Sequence, residues 1–280
     1  MVNPHKVSLD IFRSNMEDVY QGIEFEAGSE PAQRLIAFIN QMMEQDGRAD
    51  RISSLAGIGI KPMSEEWTRK LMNRAIRFAI DNHRDSVTIM HKGNIQKYTE
   101  GAFRKWAYEE AVSNFREHVV TEEELWSKYG GKVPAGRVVI KDRIADNMFQ
   151  QVVLFPEKYS VIVAPNLNGD YFSDLGAALV GGLGIAPGAN IGDRGAVFEA
   201  THGTAPDIMG KNIANPTSLI LSAVMMLRYM GWVEAAELVE GSIRTTLTER
   251  IATGDFSKMP GVEVVGTKEF GQALVERFQK

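Results

Sequence analysis

The 280 residues are 44% hydrophobic and 24% charged, which fits a soluble globular chain with one or two substantial cores. A net charge of -5 gives no general attraction to nucleic acid or to an anionic membrane, and no window is apolar over the length that spans a bilayer. The absence of cysteine excludes disulfide frameworks, thiolate metal sites and a cysteine nucleophile.

Residues 1–6 lack the apolar core of a secretory signal, so the cytoplasm is the default expectation. An apolar strand is predicted over 7–12, then a helix over 31–45 whose stripe is Leu35, Ile36, Ile39, Met42 and Met43. Residues 52–60 read as a strand weakened by Gly57 and Gly59. Ser64 is placed as an N-cap, with Glu65 and Glu66 at the positive end of a helix reaching Asn82. Strands at 86–91, 137–141 and 161–164 then alternate with helices at 98–115 and 144–154 and a helix after Asp170, with an exposed turn at 130–136. The last hundred residues are mostly helical, over 216–230, 233–250 and 268–279. Such alternation predicts an α/β architecture with mainly parallel pairing.

Polar residues gather where strands end, which is where α/β folds place their chemistry. Asp170 and Asp174 are four apart, so on a helix they put two carboxylates on one face. Such a pair repels unless a cation lies between, and Mg²⁺ or Mn²⁺ takes oxygen ligands; Asp146 is a candidate third. The spacing equally admits Asp170 as an N-cap with Asp174 solvated. Two glycine-rich stretches, 180–193 and 199–207, let backbone N–H groups approach a phosphate, yet neither has the G-x-G-x-x-G or P-loop pattern, and plain turns explain them as well. Lys92, in the run His91-Lys-Gly-Asn94, is a cation for a carboxylate, a base, or solvated surface. Arg13 suits a carboxylate and Tyr20 can donate a proton. His5, His83 and His118 take no role, and the methionine pairs at 42–43 and 225–226 read as core.

Four stretches together resemble the isocitrate dehydrogenase branch of the β-decarboxylating dehydrogenases. They are Phe12-Arg-Ser-Asn-Met-Glu-Asp-Val-Tyr20, Thr88-Ile-Met-His-Lys-Gly-Asn-Ile95, Asn166-Leu-Asn-Gly-Asp-Tyr-Phe-Ser-Asp174 and Glu199-Ala-Thr-His-Gly-Thr-Ala-Pro206. The resemblance implies an isocitrate/isopropylmalate dehydrogenase-like α/β fold. Residues 1–17 and 65–180 would form the small domain, 18–64 a clasp between subunits, and 181–280 the remainder of a large cofactor-binding domain. It further implies oxidative decarboxylation of isocitrate in a homodimer with shared sites. Asp146, Asp170 and Asp174 would hold Mg²⁺ or Mn²⁺, with Asp146 from the neighbouring subunit. Arg13 would grip a substrate carboxylate. Lys92, also from the neighbour, would take the hydroxyl proton, and Tyr20 would protonate carbon after CO₂ leaves. The coenzyme would lie along His202, Gly203, Ala205, Asn215 and Asp255, with Gln151 of the neighbour at its phosphates. Where NADP-dependent members carry Lys then Tyr, this chain has Asp207 and Ile208, so NAD is the expected coenzyme, with Lys258 a cation that would partly rescue NADP.

The resemblance also carries departures. Ser14 stands where the family has Glu, and the family's long N-terminal segment has no counterpart in these residues, so the large domain is expected to be partial. Isopropylmalate or homoisocitrate dehydrogenase is the alternative within the family, and a non-catalytic or truncated dimerising chain the alternative of another class.

Overall fold

In the computed structural model of the protein, which describes residues 4–278, the chain divides into two compact units, Met1–Ser173 and Asp174–Lys280. The first opens with β1 (Asp10–Arg13), a short strand β2 (Glu24–Phe25), helix α1 (Glu30–Gln45) and β3 (Ile58–Gly59), which pairs antiparallel with β2. Then α2 (Glu65–Asp81) leads to β4 (Ser86–His91), α3 (Glu100–Asn114) to β5 (Val119–Thr121) and α4 (Glu122–Tyr129) to β6 (Val138–Ile144). Helix α5 (Ala145–Leu154) leads to β7 (Val161–Ala164), and α6 (Asn166–Val180) follows directly.

Five of these strands form one sheet in the order β1-β7-β4-β6-β5, every pair parallel. The strands β4 and β7 are buried along their whole length, as central parallel strands covered on both faces must be. Val87, Ile89, Ile140, Val161 and Val163 pack against Met72 and Ile76 of α2 and Phe103 and Ala107 of α3. The register sets Arg13 beside Ala164 and His91 beside Ile144. Because the strands run the same way, the segments that follow these four residues all leave from one edge of the sheet. That edge carries the candidate side chains of this unit.

Several predicted boundaries move. The strand expected over 52–60 shrinks to Ile58–Gly59, because Gly57 and Gly59 weaken extended structure there. Ser64 has N-cap backbone geometry but its hydroxyl caps nothing, and its own N–H is held by Glu17 Oε2 at 2.6 Å. Helix α6 begins at Asn166, so Asp170 sits a full turn inside it and the N-cap reading fails. Strand β5 and helix α4 were not anticipated; α4 starts on a capping box between Thr121 and Glu124 and ends at Gly130 in the left-handed conformation.

The second unit begins within α6. It contains a hairpin of β8 (Pro187–Ile191) and β9 (Ala196–Ala200), then α7 (Thr217–Tyr229), α8 (Val233–Thr248), the short parallel pair β10 (Ile251–Ala252) and β11 (Glu263–Val264), and α9 (Thr267–Val275). Ile243, Phe270 and Leu274 form its core with Ile220 and Leu221 packed against them. The hairpin lies in stretches read as glycine-rich turns. The last predicted helix reaches 279, a residue outside those described. Among the described residues no helix is long and apolar enough to cross a membrane.

Candidate active site

Arg13 is the last residue of β1, and the turn that follows brings Tyr20 back under it. The guanidinium carbon lies 4.8 Å from the centre of the Tyr20 ring, a cation–π contact. Arg13 Nε donates to the backbone oxygen (3.0 Å) and to Oδ1 (2.9 Å) of Asn166, and Nη1 lies 2.7 Å from Asp170 Oδ1. Asn166, which opens α6, therefore fixes the direction of Arg13 from below. Its role was missed because an Asn after a Pro reads as ordinary helix-start chemistry. Gly169 is required here, since a Cβ at that position would stand 2.6 Å from Arg13 Cγ. Partial desolvation, together with hydrogen bonding to and the charge of Asp170, raises the Tyr20 pKa above its ordinary value. Tyr20 is half-exposed and held in its protonated form. Asp174 follows Asp170 by one turn of the same helix and is exposed.

Lys92 leaves the end of β4, and its ammonium contacts Asp146 in the first turn of α5 directly. That hydrogen bond, with one from its own backbone N–H, lowers the Asp146 pKa. Beneath them lies a second group. His91 Nε2 is 3.0 Å from Asp142 Oδ2, while His91 Nδ1 accepts from the Gly93 N–H at 2.9 Å, which leaves Nε2 to donate to the carboxylate. Tyr108 Oη donates to Asp142 Oδ1 at 2.8 Å, and Arg104 pairs with the same oxygen at 3.0 Å. Although burial opposes it, these donors hold the Asp142 carboxyl well below the usual range. Gln151 is half-buried on α5. The three aspartates are thus not gathered within one chain: among the described residues no group of three or more His, Asp or Glu side chains is placed to hold a metal ion.

In the second unit Asn215 Nδ2 donates to Asp255 Oδ2 at 2.8 Å, and Asn215 Oδ1 accepts from the Thr217 N–H at 2.9 Å. Asp255 Oδ1 accepts from the Thr253 hydroxyl at 2.5 Å. Gly184 lets the chain pass close to both, 2.9 Å from Asn215 Cβ where its own Cβ would be. His202, Gly203, Ala205 and Asp207 lie exposed in the loop after β9, Ala205 in the left-handed conformation and Asp207 with Ile208 in a 3-10 turn.

The family model for isocitrate/isopropylmalate dehydrogenase matches residues 2–274. The isocitrate dehydrogenase [NADP] of Archaeoglobus fulgidus is 53% identical over 277 residues, covering 99% of this chain and 66% of that protein. That of Helicobacter pylori strain J99 is 47% identical, covering 98% and 64%. The crystal structure of isocitrate dehydrogenase from Methylococcus capsulatus superposes with a TM-score of 0.77 at 32% identity, covering 98% of this chain and 68% of that one. The chain therefore spans about two thirds of the length of the curated relatives it matches.

These relatives are named for NADP, which overturns the assignment of NAD from Asp207 and Ile208. The physical reason lies in exposure: a single carboxylate on an open turn is screened by water and salt, so its repulsion of a 2′-phosphate is too weak to decide the coenzyme. With the α/β architecture, four motifs in order and a match over nearly its whole length, the chain belongs to the isocitrate/isopropylmalate dehydrogenase family.

Proposed function

We propose that this chain catalyses the metal-dependent oxidative decarboxylation of isocitrate to 2-oxoglutarate, with NADP as hydride acceptor, in a dimer whose sites draw on two copies. The observation that carries this reading is the set of Arg13, Tyr20 and Asp170 in mutual contact at the C-terminal edge of the sheet. Asp170 and Asp174 offer hard oxygen donors one turn apart, a partial set for Mg²⁺ or Mn²⁺ that Asp146 of a second copy would complete. Exposed Phe38, Met42 and Leu55 in the segment 18–64 support its role as the clasp that holds the copies together.

When bound, the cation supplies Lewis acidity at the substrate's hydroxyl and carboxylate, and the coenzyme accepts the hydride. Arg13, aimed by Asn166, grips a substrate carboxylate through its remaining N–H donors. Lys92, supplied by the second copy and in its neutral amine form, takes the hydroxyl proton. Tyr20, whose raised pKa keeps its proton in place, delivers that proton to the carbon that has lost CO₂. Asn215, Asp255 and the loop from His202 to Ile208 bind the coenzyme, and Gln151 of the second copy reaches its phosphates.

The test is NADPH formation by the purified chain with isocitrate and Mn²⁺, with isopropylmalate in a parallel reaction. Turnover of isocitrate that disappears in Asp170→Asn and Lys92→Met supports the assignment. A folded, dimeric protein that turns over neither substrate overturns the enzyme reading, and preference for isopropylmalate overturns the substrate.

A further inference from the structure

Below the edge of the sheet lies a buried ionic group that none of the roles above uses. Glu100, the first residue of α3, is fully buried. Its Oε2 accepts from the Lys92 backbone N–H at 2.5 Å and from Asn168 Nδ2 at 2.7 Å. Its Oε1 lies 2.9 Å from Lys61 Nζ as an ion pair. The same ammonium lies 2.8 Å from Oδ1 of Asp18, which is 1% exposed. Asp18 in turn accepts from the Val19 N–H through Oδ1 (2.8 Å) and from the Leu167 N–H through Oδ2 (3.1 Å). Asp18 also adopts a φ of 78°, a conformation that side-chain-bearing residues rarely take unless something holds them there.

Two buried carboxylates share one ammonium, so the group carries a net negative charge in a poorly hydrated place. That arrangement is costly unless its oxygens are met by donors or positive charge. Glu100 Oε1 has the Lys61 ammonium beside it without a hydrogen bond, and the partners of the pair come from four separate segments: 19, 61, 92 and 167–168. Two of those donors belong to the first turn of α6, whose unpaired N–H groups favour negative charge. The group therefore ties the chain before Tyr20, the segment after β3, the backbone of Lys92 and the start of the helix carrying Asp170 to one carboxylate pair.

We infer that Glu100 is a positioning residue for Lys92, fixing the backbone from which that base projects and locking it to the first turn of α6. The inference rests on the function proposed above for Lys92, but its structural part does not need turnover. All of Glu100's partners are donors. An amide in its place must turn hydrogens toward either Lys61 or the Lys92 and Asn168 pair, and in either orientation the bond from the Lys92 N–H loses its charged acceptor. Glu100→Gln therefore weakens that bond without changing the size of the side chain.

The first measurement is residue-resolved amide exchange on the folded chain. In Glu100→Gln the Lys92 amide is expected to exchange at least tenfold faster, with the amides of Val87 to Met90 unchanged. An unchanged Lys92 amide overturns the inference, as does acceleration spread evenly over the strand. If Glu100→Gln does not fold, Lys61→Gln carries the same test, with a smaller local effect expected. The second measurement is kinetic: kcat is expected to fall about ten- to a hundredfold with KM for isocitrate within about twofold. A rise in KM for isocitrate with kcat unchanged overturns the positioning role. Absence of turnover in the unsubstituted chain, with local loosening at Lys92, instead separates failure of the proposed reaction from failure of this inference.

Discussion

Arg13 Nη1 stands 2.7 Å from Asp170 Oδ1, so the cation proposed for substrate is paired with a carboxylate proposed for metal. The pair is partly exposed, with 27% and 39% of the two side chains accessible, and a pair of that kind is worth about 0.2–1 kcal/mol. A divalent cation has to compete with it. Arg13→Gln is therefore expected to tighten Mn²⁺ binding by up to about fivefold in the absence of substrate. Titration of the folded chain with Mn²⁺ checks this, and weaker binding in the variant would show that Arg13 supports the metal site rather than competing with it.

Lys141 gives the chain a pH dependence that has nothing to do with catalysis. It lies in β6 with its residue 9% exposed, its Nζ donates to the Lys158 carbonyl at 2.5 Å, and it faces the Tyr159 ring at 4.8 Å. Burial, with Arg143 nearby, pushes its pKa down from 10.5 to about 8. Between those values the unfolded chain keeps the proton and the folded chain has released it. Stability should therefore rise with pH from about 8 to about 10.5, by about 3 kcal/mol from this group, and the penalty should be fully present below pH 8. Lys141→Met removes the slope, although it also leaves the Lys158 carbonyl without that donor, a loss independent of pH. Denaturant unfolding of both proteins at pH 7, 9 and 10.5 reads the difference, and parallel curves would contradict the burial argument.

The parts of the fold that could be read from sequence are those where one pattern dominates. Strand β7 is a wholly apolar run and β4 carries Val87, Ile89 and Met90; both are buried along their whole length, and their predicted bounds match the observed ones. The start of α6 was read too late because Asn166, Asn168 and Gly169 are poor helix formers; Arg13 and Asp18, far away in sequence, hold that turn. The box between Thr121 and Glu124 was present as a Thr-x-x-Glu signal, yet Thr121 itself ends a strand of only three residues, too short to stand out. At the candidate site, Arg13, Tyr20 and Asp170 were named individually, and their contact is a property of the parallel register. Glu100 had no visible role, because an acid at the start of a helix reads as favourable charge on a dipole. Its burial and its link to Lys92 exist only once α3 has packed.

The coenzyme question turns on exposure. Asp207 lies open in a turn, so removing its charge should alter little. Asp207→Asn is expected to change KM for NADP by less than about threefold at physiological salt. A drop of tenfold or more would mean that the carboxylate faces the 2′-phosphate at short range.

Gly169 offers the most specific test of how the site is built. A Cβ there would stand 2.6 Å from Arg13 Cγ and 2.9 Å from Arg13 Cβ. Those atoms are the root of the side chain, so Arg13 cannot escape by a small adjustment at its tip; the whole side chain must swing. It would then leave Asn166, Asp170 and the Tyr20 ring together. Alanine is otherwise a good residue for the interior of α6, so the helix itself gains rather than loses. Because Arg13 Cβ cannot move by rotation of the side chain, β1 and α6 must also shift apart. Gly169→Ala should therefore lose about 1–3 kcal/mol of stability to overpacking. It should also lose about ten- to a hundredfold in kcat/KM for isocitrate, since displacement of a positioning group by an ångström has that cost. Arg13→Ala should add little to that loss if both changes act by removing the same grip. Full activity in Gly169→Ala would mean that the guanidinium position seen here is not the one that meets substrate.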